Sequence, residues 1–181
     1  RQSFGICNPE EGCLSMIRDG ADQAKFKIPR NLEMATHVTT SWRPQLHLAA
    51  VLVHGLMDIY FAADENLKKD ANTSIQELSE ALELAEAALF KKGKCLPAHL
   101  CIQMDNAPRE NKHQLLLKCA ASLVSAKKIK SVSLNFLRVG HTHEDVDRRF
   151  KLIANELTRR RILQTPMQFL EAVQHAIKKT G

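Results

Sequence analysis

The sequence predicts an α/β fold built on a mixed central sheet of about five strands with helices on both faces. Three observations carry this expectation: apolar, β-branched runs come first along the chain, strand and helix patterns then alternate, and two helical patterns close it. Meandering strands pair antiparallel through short turns. Strands separated by helices return parallel, because the helix must cross over a face of the sheet.

CLSMIRD, residues 13–19, predicts a short strand running into an Asp19-Gly20 turn, with KFKIP, 25–29, as its hairpin partner. Pro29 and TTSWRP mark a loop. From Gln45 to Ala62 the run is apolar and β-branched apart from His54-Gly55, so two adjacent strands joined by a turn are expected there. The next stretch carries helix punctuation: a cap at Asn72 or Thr73, apolar residues at Ile75, Leu78, Leu82 and Leu89, and Gly93 as the stop. HLCIQMDN, 99–106, is a buried-type strand ending in Asp105. A turn at Pro108 then opens a helix whose apolar side is Leu115, Leu116, Cys119, Leu123 and Val124. SVSLNFLRV, 131–139, alternates as a strand does. After Gly140, Val146, Phe150, Ile153 and Leu157 fall at helical spacing, and Pro166 opens a last helix with Phe169, Leu170, Val173 and Ile177 on one side.

A length of 181 residues suits a single domain, 1–181, with its core at about 13–160 and a C-terminal helix at 166–179. The start at Arg1 without a methionine suggests a fragment of a longer protein. Cysteines at 7, 13, 95, 101 and 119 have neither paired nor regular spacing, which favours reduced thiols in an intracellular protein and disfavours zinc at Cys7 and Cys13. No apolar run is long enough to span a bilayer and no signal peptide opens the chain, so no membrane partner is expected. The net charge of +6, with pI near 9.2, suits a phosphate-rich partner. Lys127, Lys128 and Lys130, then Arg159, Arg160 and Arg161, then Lys178 and Lys179 cluster, although each cluster equally fits a helix end or a solvated face.

Against this positive background the acids are concentrated. Asp19 closes the first strand pattern, Asp105 closes the strand after the first helix, and VGHTHEDVDRRF, 139–150, gathers His141, His143, Glu144, Asp145 and Asp147 where a later helix begins. The ends of strands in an open α/β sheet converge on one edge, where chain reversals leave a crevice. Carboxylates gathered there would repel, so a cation should hold them. Mg²⁺ takes oxygen ligands from one or two carboxylates and leaves room for substrate phosphates, and two such ions about 4 Å apart suit phosphoryl chemistry.

DGADQAKFKIPR, IQMDNAPRENK and FLRVGHTHEDVDRRF together resemble the three blocks of an uncharacterised, transposon-associated domain family, DGxDQxK, QxDNxxxENK and VGHTHEDxD, over roughly residues 13–157. More distantly, the layout is similar to the ribonuclease H-like DDE transposases and retroviral integrases. That resemblance implies a ribonuclease H-like fold, DNA as partner, two Mg²⁺ or Mn²⁺ ions as cofactors, and DNA cleavage or strand transfer as the reaction. It further implies a nuclear setting and either a homo-oligomer or flanking domains of the same polypeptide.

The metal ligands expected are Asp19, Asp105 and Asp147. With about 100° per helical residue, Asp147 flanks the Val146, Phe150, Ile153 and Leu157 stripe and His143 falls near it, whereas Glu144 points nearly opposite. Glu144 remains the alternative, since 39 positions separate it from Asp105, as is typical of integrases, against 42 for Asp147. His143 is expected as a ligand or proton shuttle.

Simpler readings compete at each position. Asp19 and Asp22 suit turns, Asp105-Asn106 suits a strand-to-helix cap, and HTHED suits a cap beside a structural histidine. Asn106, Glu110 and Asn111 suit either capping or support of Asp105, and His54 a structural turn. Trp42 and Tyr60 are too isolated for base stacking. Two rival functions follow: a catalytically silent DNA-binding or interaction domain with the same fold, and a phosphohydrolase of small phosphate esters.

Overall fold

The computed structural model of the chain describes residues 12–22, 26–31, 41–107, 111–136 and 144–178. Five strands form the main sheet: β1 (Cys13–Gly20), β3 (His47–Val53), β4 (Met57–Ala63), β5 (His99–Met104) and β6 (Ser131–Phe136), in the order β4-β3-β1-β5-β6. β1 runs parallel to β5, and β5 parallel to β6. β3 runs the other way beside β1: the Ala21 N–H donates to the Leu48 carbonyl at 2.9 Å and the His54 N–H to the Ser15 carbonyl at 3.0 Å. β3 and β4 are joined by the turn 54–56, which Gly55 permits with φ +72. Counted along the chain within this sheet, the strands lie third, second, first, fourth, fifth. A mixed α/β fold with a central sheet of five strands is what the sequence predicts.

The burial of each strand follows from its place in that order. Leu48 to Val53 of β3 are all buried, as a central strand covered on both faces requires, whereas edge strand β6 alternates between exposed and half-buried residues. The strand pattern expected to reach residue 139 ends at Phe136, and 137–139 lie outside the described residues.

Contacts divide the chain into two compact units: Arg1–Asp19, Ala49–Tyr60 and Lys68–Thr142 form one, and Gly20–Leu48, Phe61–Leu67 and His143–Gly181 the other. In the first unit, helices α1 (Ala71–Lys91) and α2 (Gln114–Ser125) accompany the sheet. Met16, Leu100, Ile102 and Leu134 from the strands and Leu78, Leu82 and Leu116 from the helices line one apolar cavity of about 140 Å³.

Asp70, rather than Asn72 or Thr73, caps α1, because its extended backbone lets Oδ1 accept from the Asn72 and Thr73 N–H groups at 2.9 and 3.1 Å. Gly93, at φ +69, ends the helix: its N–H donates to Phe90 and that of Lys94 to Leu89, satisfying two terminal carbonyls. α2 begins at Gln114 behind an extended His113, whose Nδ1 accepts from the Leu115 N–H at 3.2 Å. It therefore opens later than the expected turn at Pro108, which lies outside the described residues. Its inner stripe is Leu116, Cys119 and Leu123, while Leu115 and Val124, expected on the same side, are exposed. At about 100° per residue, those two fall to either side of the stripe.

The second unit holds the two-residue strands β2 (Arg30–Asn31) and β7 (Ile162–Leu163), paired antiparallel, and helices α3 (Glu144–Arg159) and α4 (Pro166–Lys178). KFKIP is not the hairpin partner of β1, because β3 and β5 occupy both edges of that strand. Lys27 instead bridges Gln45, with the Leu46 N–H donating to the Phe26 carbonyl at 3.0 Å. The α3 stripe is as the spacing predicts: Val146, Ile153 and Leu157 are fully buried and Phe150 is half-buried. α4 buries Phe169 and Val173 as expected, adds Ala172 and Ala176, and leaves Leu170 and Ile177 half-buried. The Phe169 ring meets Phe26 edge-on at 5.5 Å. Thr165 and Gln168 cap α4 reciprocally: Thr165 Oγ1 accepts from the Gln168 N–H, and Gln168 Oε1 accepts from the Thr165 N–H.

Candidate functional site

The β1–β5 register matches Arg18 with Met104 as its last pair, and the next residue on each chain segment is an aspartate. Asp19 and Asp105 thus follow one another's neighbours at the carboxyl ends of adjacent parallel strands, which lie about 4.8 Å apart. Asp19 is not a turn residue. β1 continues through Gly20, and the Ala21 N–H still bonds to β3, so the strand carries Asp19 on its regular alternation.

Period-two alternation also explains the residue before it. Leu14, Met16 and Arg18 share the face of β1 opposite Asp19, so the guanidinium is directed into the packed layer, where Arg18 is 3% exposed. A buried cation requires a partner. Glu77, on the inner face of α1, supplies it: Arg18 Nε donates to Oε2 at 2.8 Å. Arg18 Nη1 also donates to Asn111 Oδ1 at 3.1 Å, and Ser74 Oγ, one helical turn before Glu77, donates to the same oxygen at 3.4 Å. Asn111 is 1% exposed, and its Nδ2 donates to Oδ1 of Asp105. A buried chain of polar contacts therefore runs from α1 to the second aspartate.

Lys112 stands at the same ends of the strands. Phe136 is the register partner of Met104, and Lys112 Nζ sits 5.6 Å from the centre of its ring. The aromatic face steadies the exposed ammonium without neutralising it.

The other expected residues stand differently. Asp147 is half-buried on α3 in the second unit, next to fully buried Val146, and Glu144 begins that helix. The side chain of Glu144 and the whole of His143 lie outside the described residues, as do His141, Glu110 and Cys7. Asp22 is exposed and Asn106 half-buried. His54 belongs to the β3–β4 turn, and Trp42 is 77% exposed.

The donor chemistry suits a hard divalent cation, since Asp19 and Asp105 offer carboxylate oxygens and Mg²⁺ is commonly held by one or two carboxylates together with substrate phosphates. Among the described residues, no group of three or more His, Cys, Asp or Glu is gathered closely enough to hold a metal ion. Nor is any helix among them long and apolar enough to cross a membrane.

Both aspartates are legible in the sequence, and Asn111 suits support of one of them. Arg18, Ser74, Glu77 and Lys112 were not expected from the sequence. An arginine in phase with Leu14 and Met16 is the signal that could have found the buried ion pair.

A family model described as "Domain of unknown function (DUF7869)" matches residues 36–181, a stretch that includes Asp105, Glu144 and Asp147. No curated protein matches. Among solved structures, the chain is similar to the Mos1 Strand Transfer Complex at 11% identity and a TM-score of 0.46, covering 94% of this chain and 47% of that one. It is also similar to the mariner Mos1 paired end complex with Mg at 10% identity and a TM-score of 0.36, covering 91% of this chain and 55% of that one. The chain thus spans about half the length of the solved chains it matches.

Proposed function

The chain belongs to the family described as Domain of unknown function (DUF7869), and from that premise we propose that it is a metal-dependent domain of the transposase and integrase kind, cleaving or transferring DNA strands. The observation that carries this reading is the parallel β1–β5 register, which brings Asp19 and Asp105 to neighbouring strand ends. Two carboxylates so close repel each other unless a cation joins them.

In this reading Asp19 and Asp105 hold Mg²⁺ or Mn²⁺, with Asp147 as the third ligand and Glu144 as the alternative. Two ions would supply Lewis-acid polarisation of the phosphoryl oxygens and neutralise charge developing on them. The chain's own residues do the rest. Lys112 engages a DNA phosphate, His143 moves a proton at the reacting oxygen, and the surrounding Lys and Arg side chains hold the backbone. DNA as substrate suits a nuclear protein, working with further copies of itself or with flanking domains of a longer polypeptide.

A non-cutting DNA-binding domain with the same fold is the second reading. It draws on the absence, among the described residues, of a gathered group of three acids. Incubating the full chain with plasmid DNA and Mn²⁺ separates the two. The cutting domain nicks DNA and falls to background in Asp19→Asn and Asp105→Asn, whereas the silent domain binds DNA equally well with and without metal. Turnover of a small phosphomonoester in place of DNA would contradict both.

A further inference from the structure

We infer that Asn111, Arg18, Ser74 and Glu77 form a positioning relay that fixes the Asp105 carboxylate for cation binding and lets helix α1 set the affinity of the site. The inference rests on the reading of Asp105 as a metal ligand.

An asparagine amide has two faces, one that accepts and one that donates, and its orientation follows from its partners. Here two donors face the accepting side: Arg18 Nη1 at 3.1 Å and Ser74 Oγ at 3.4 Å. A guanidinium offers N–H donors and no acceptor, so Asn111 Oδ1 must face it. The NH₂ group is thereby turned to Oδ1 of Asp105. That bond restrains the carboxylate's rotation, and Oδ2 is the oxygen it leaves for a cation.

Glu77 governs the electrostatics of the same chain. Arg18 alone would set a full positive charge one amide away from Asp105, and its field would weaken the anion that a divalent cation meets. Glu77, at 2.8 Å from Arg18 Nε and 7% exposed, cancels that charge locally. Asp105 therefore keeps its attraction for a cation while Asn111 keeps its orientation. Partners at one remove from a ligand commonly change metal affinity about 10–100-fold. Asn111 stands at one remove from Asp105, and Glu77 acts on it through Arg18, from which 59 positions separate it in the chain.

The test titrates Mn²⁺ into the full chain and follows free Mn²⁺ by electron paramagnetic resonance, with thermal melting recorded on each metal-free variant. Asn111→Ala should weaken Mn²⁺ binding about 10-fold and Glu77→Gln several-fold. Glu83→Gln, an exposed acid on the same helix, should leave it unchanged. A purely structural role would lower the melting temperature and spare the affinity of the folded fraction. Should Asn111→Ala fail to fold, Glu77→Gln and Ser74→Ala carry the comparison. Folded variants that bind Mn²⁺ as the parent does overturn the relay and leave the proposed site standing. A parent chain that binds no Mn²⁺ removes the site, and the relay with it.

Discussion

Glu77 in the first unit and Glu156 in the second are the same residue type, equally buried at 7% exposure, and each is paired with basic side chains of its own unit. Their partners differ in kind. Glu156 meets His175 Nδ1 at 2.7 Å and Arg160 Nε at 3.4 Å, with Arg159 out at 4.0 Å; these come from α4, from just past α3 and from its last residue, and all reach solvent, His175 to 47%. Glu77 meets Arg18, whose side chain is 4% exposed and whose other end holds Asn111. The first arrangement is a helix-packing clamp that water can partly replace. The second is an ion pair sealed from water, and it leads to Asp105.

The largest effect expected from this contrast is the loss of one sealed partner. Glu77→Ala strands a buried guanidinium and should cost about 3–5 kcal/mol in denaturant unfolding. A cost below about 1 kcal/mol would erase the difference between the two glutamates.

Replacing both members tests why the pair exists. Arg18→Met with Glu77→Leu should restore stability to within about 1 kcal/mol of the parent, as apolar substitutes for buried ion pairs often do. The same double variant should still bind Mn²⁺ poorly, because Asn111 has lost the cation that orients it. Restored binding alongside restored stability would detach the pair from the site.

Glu156→Ala should cost about 1 kcal/mol, and added salt should shrink the gap further, since its cations reach solvent. A cost matching that of Glu77→Ala would show that burial of the acid alone decides.

The smallest effect concerns Cys101 on β5, in the first unit. Burial pushes its thiol up, neighbouring Cys13 adds to the rise, and a hydrogen bond from Asn135 Nδ2 at 3.1 Å partly offsets it. The folded thiol therefore ionises at higher pH than the unfolded one. Its contribution is fully present below the ordinary thiol range and is lost as pH rises through the raised folded value. Unfolding curves recorded from neutral to mildly alkaline pH should fall less steeply for Cys101→Ser than for the parent, and identical slopes would contradict the shift.

Much of the fold was legible because local pattern and tertiary placement agree. Val146, Ile153 and Leu157 are buried as their spacing demands, and Asp105 stands where the strand pattern stops. The errors arise where tertiary contacts decide. Asp19-Gly20 carries turn chemistry, yet β1 continues through it and the Ala21 N–H bonds to β3, which holds it extended. β2 and β7 are two residues each, too short to produce a period, and their pairing joins Arg30 to Leu163 across the chain. The Arg18–Glu77 pair has no local signature beyond an arginine on an apolar face. The helix choice between Glu144 and Asp147 depends on residues outside those described.

The central claim is that one cation joins the aspartates ending β1 and β5. A crystal of the chain soaked in Mn²⁺ and measured for anomalous scattering tests it most directly. The account predicts a peak within coordination distance of both Asp19 and Asp105, with Asn111 still bonded to the latter. A fully occupied Mn²⁺ elsewhere on the protein, with that notch empty, would contradict it.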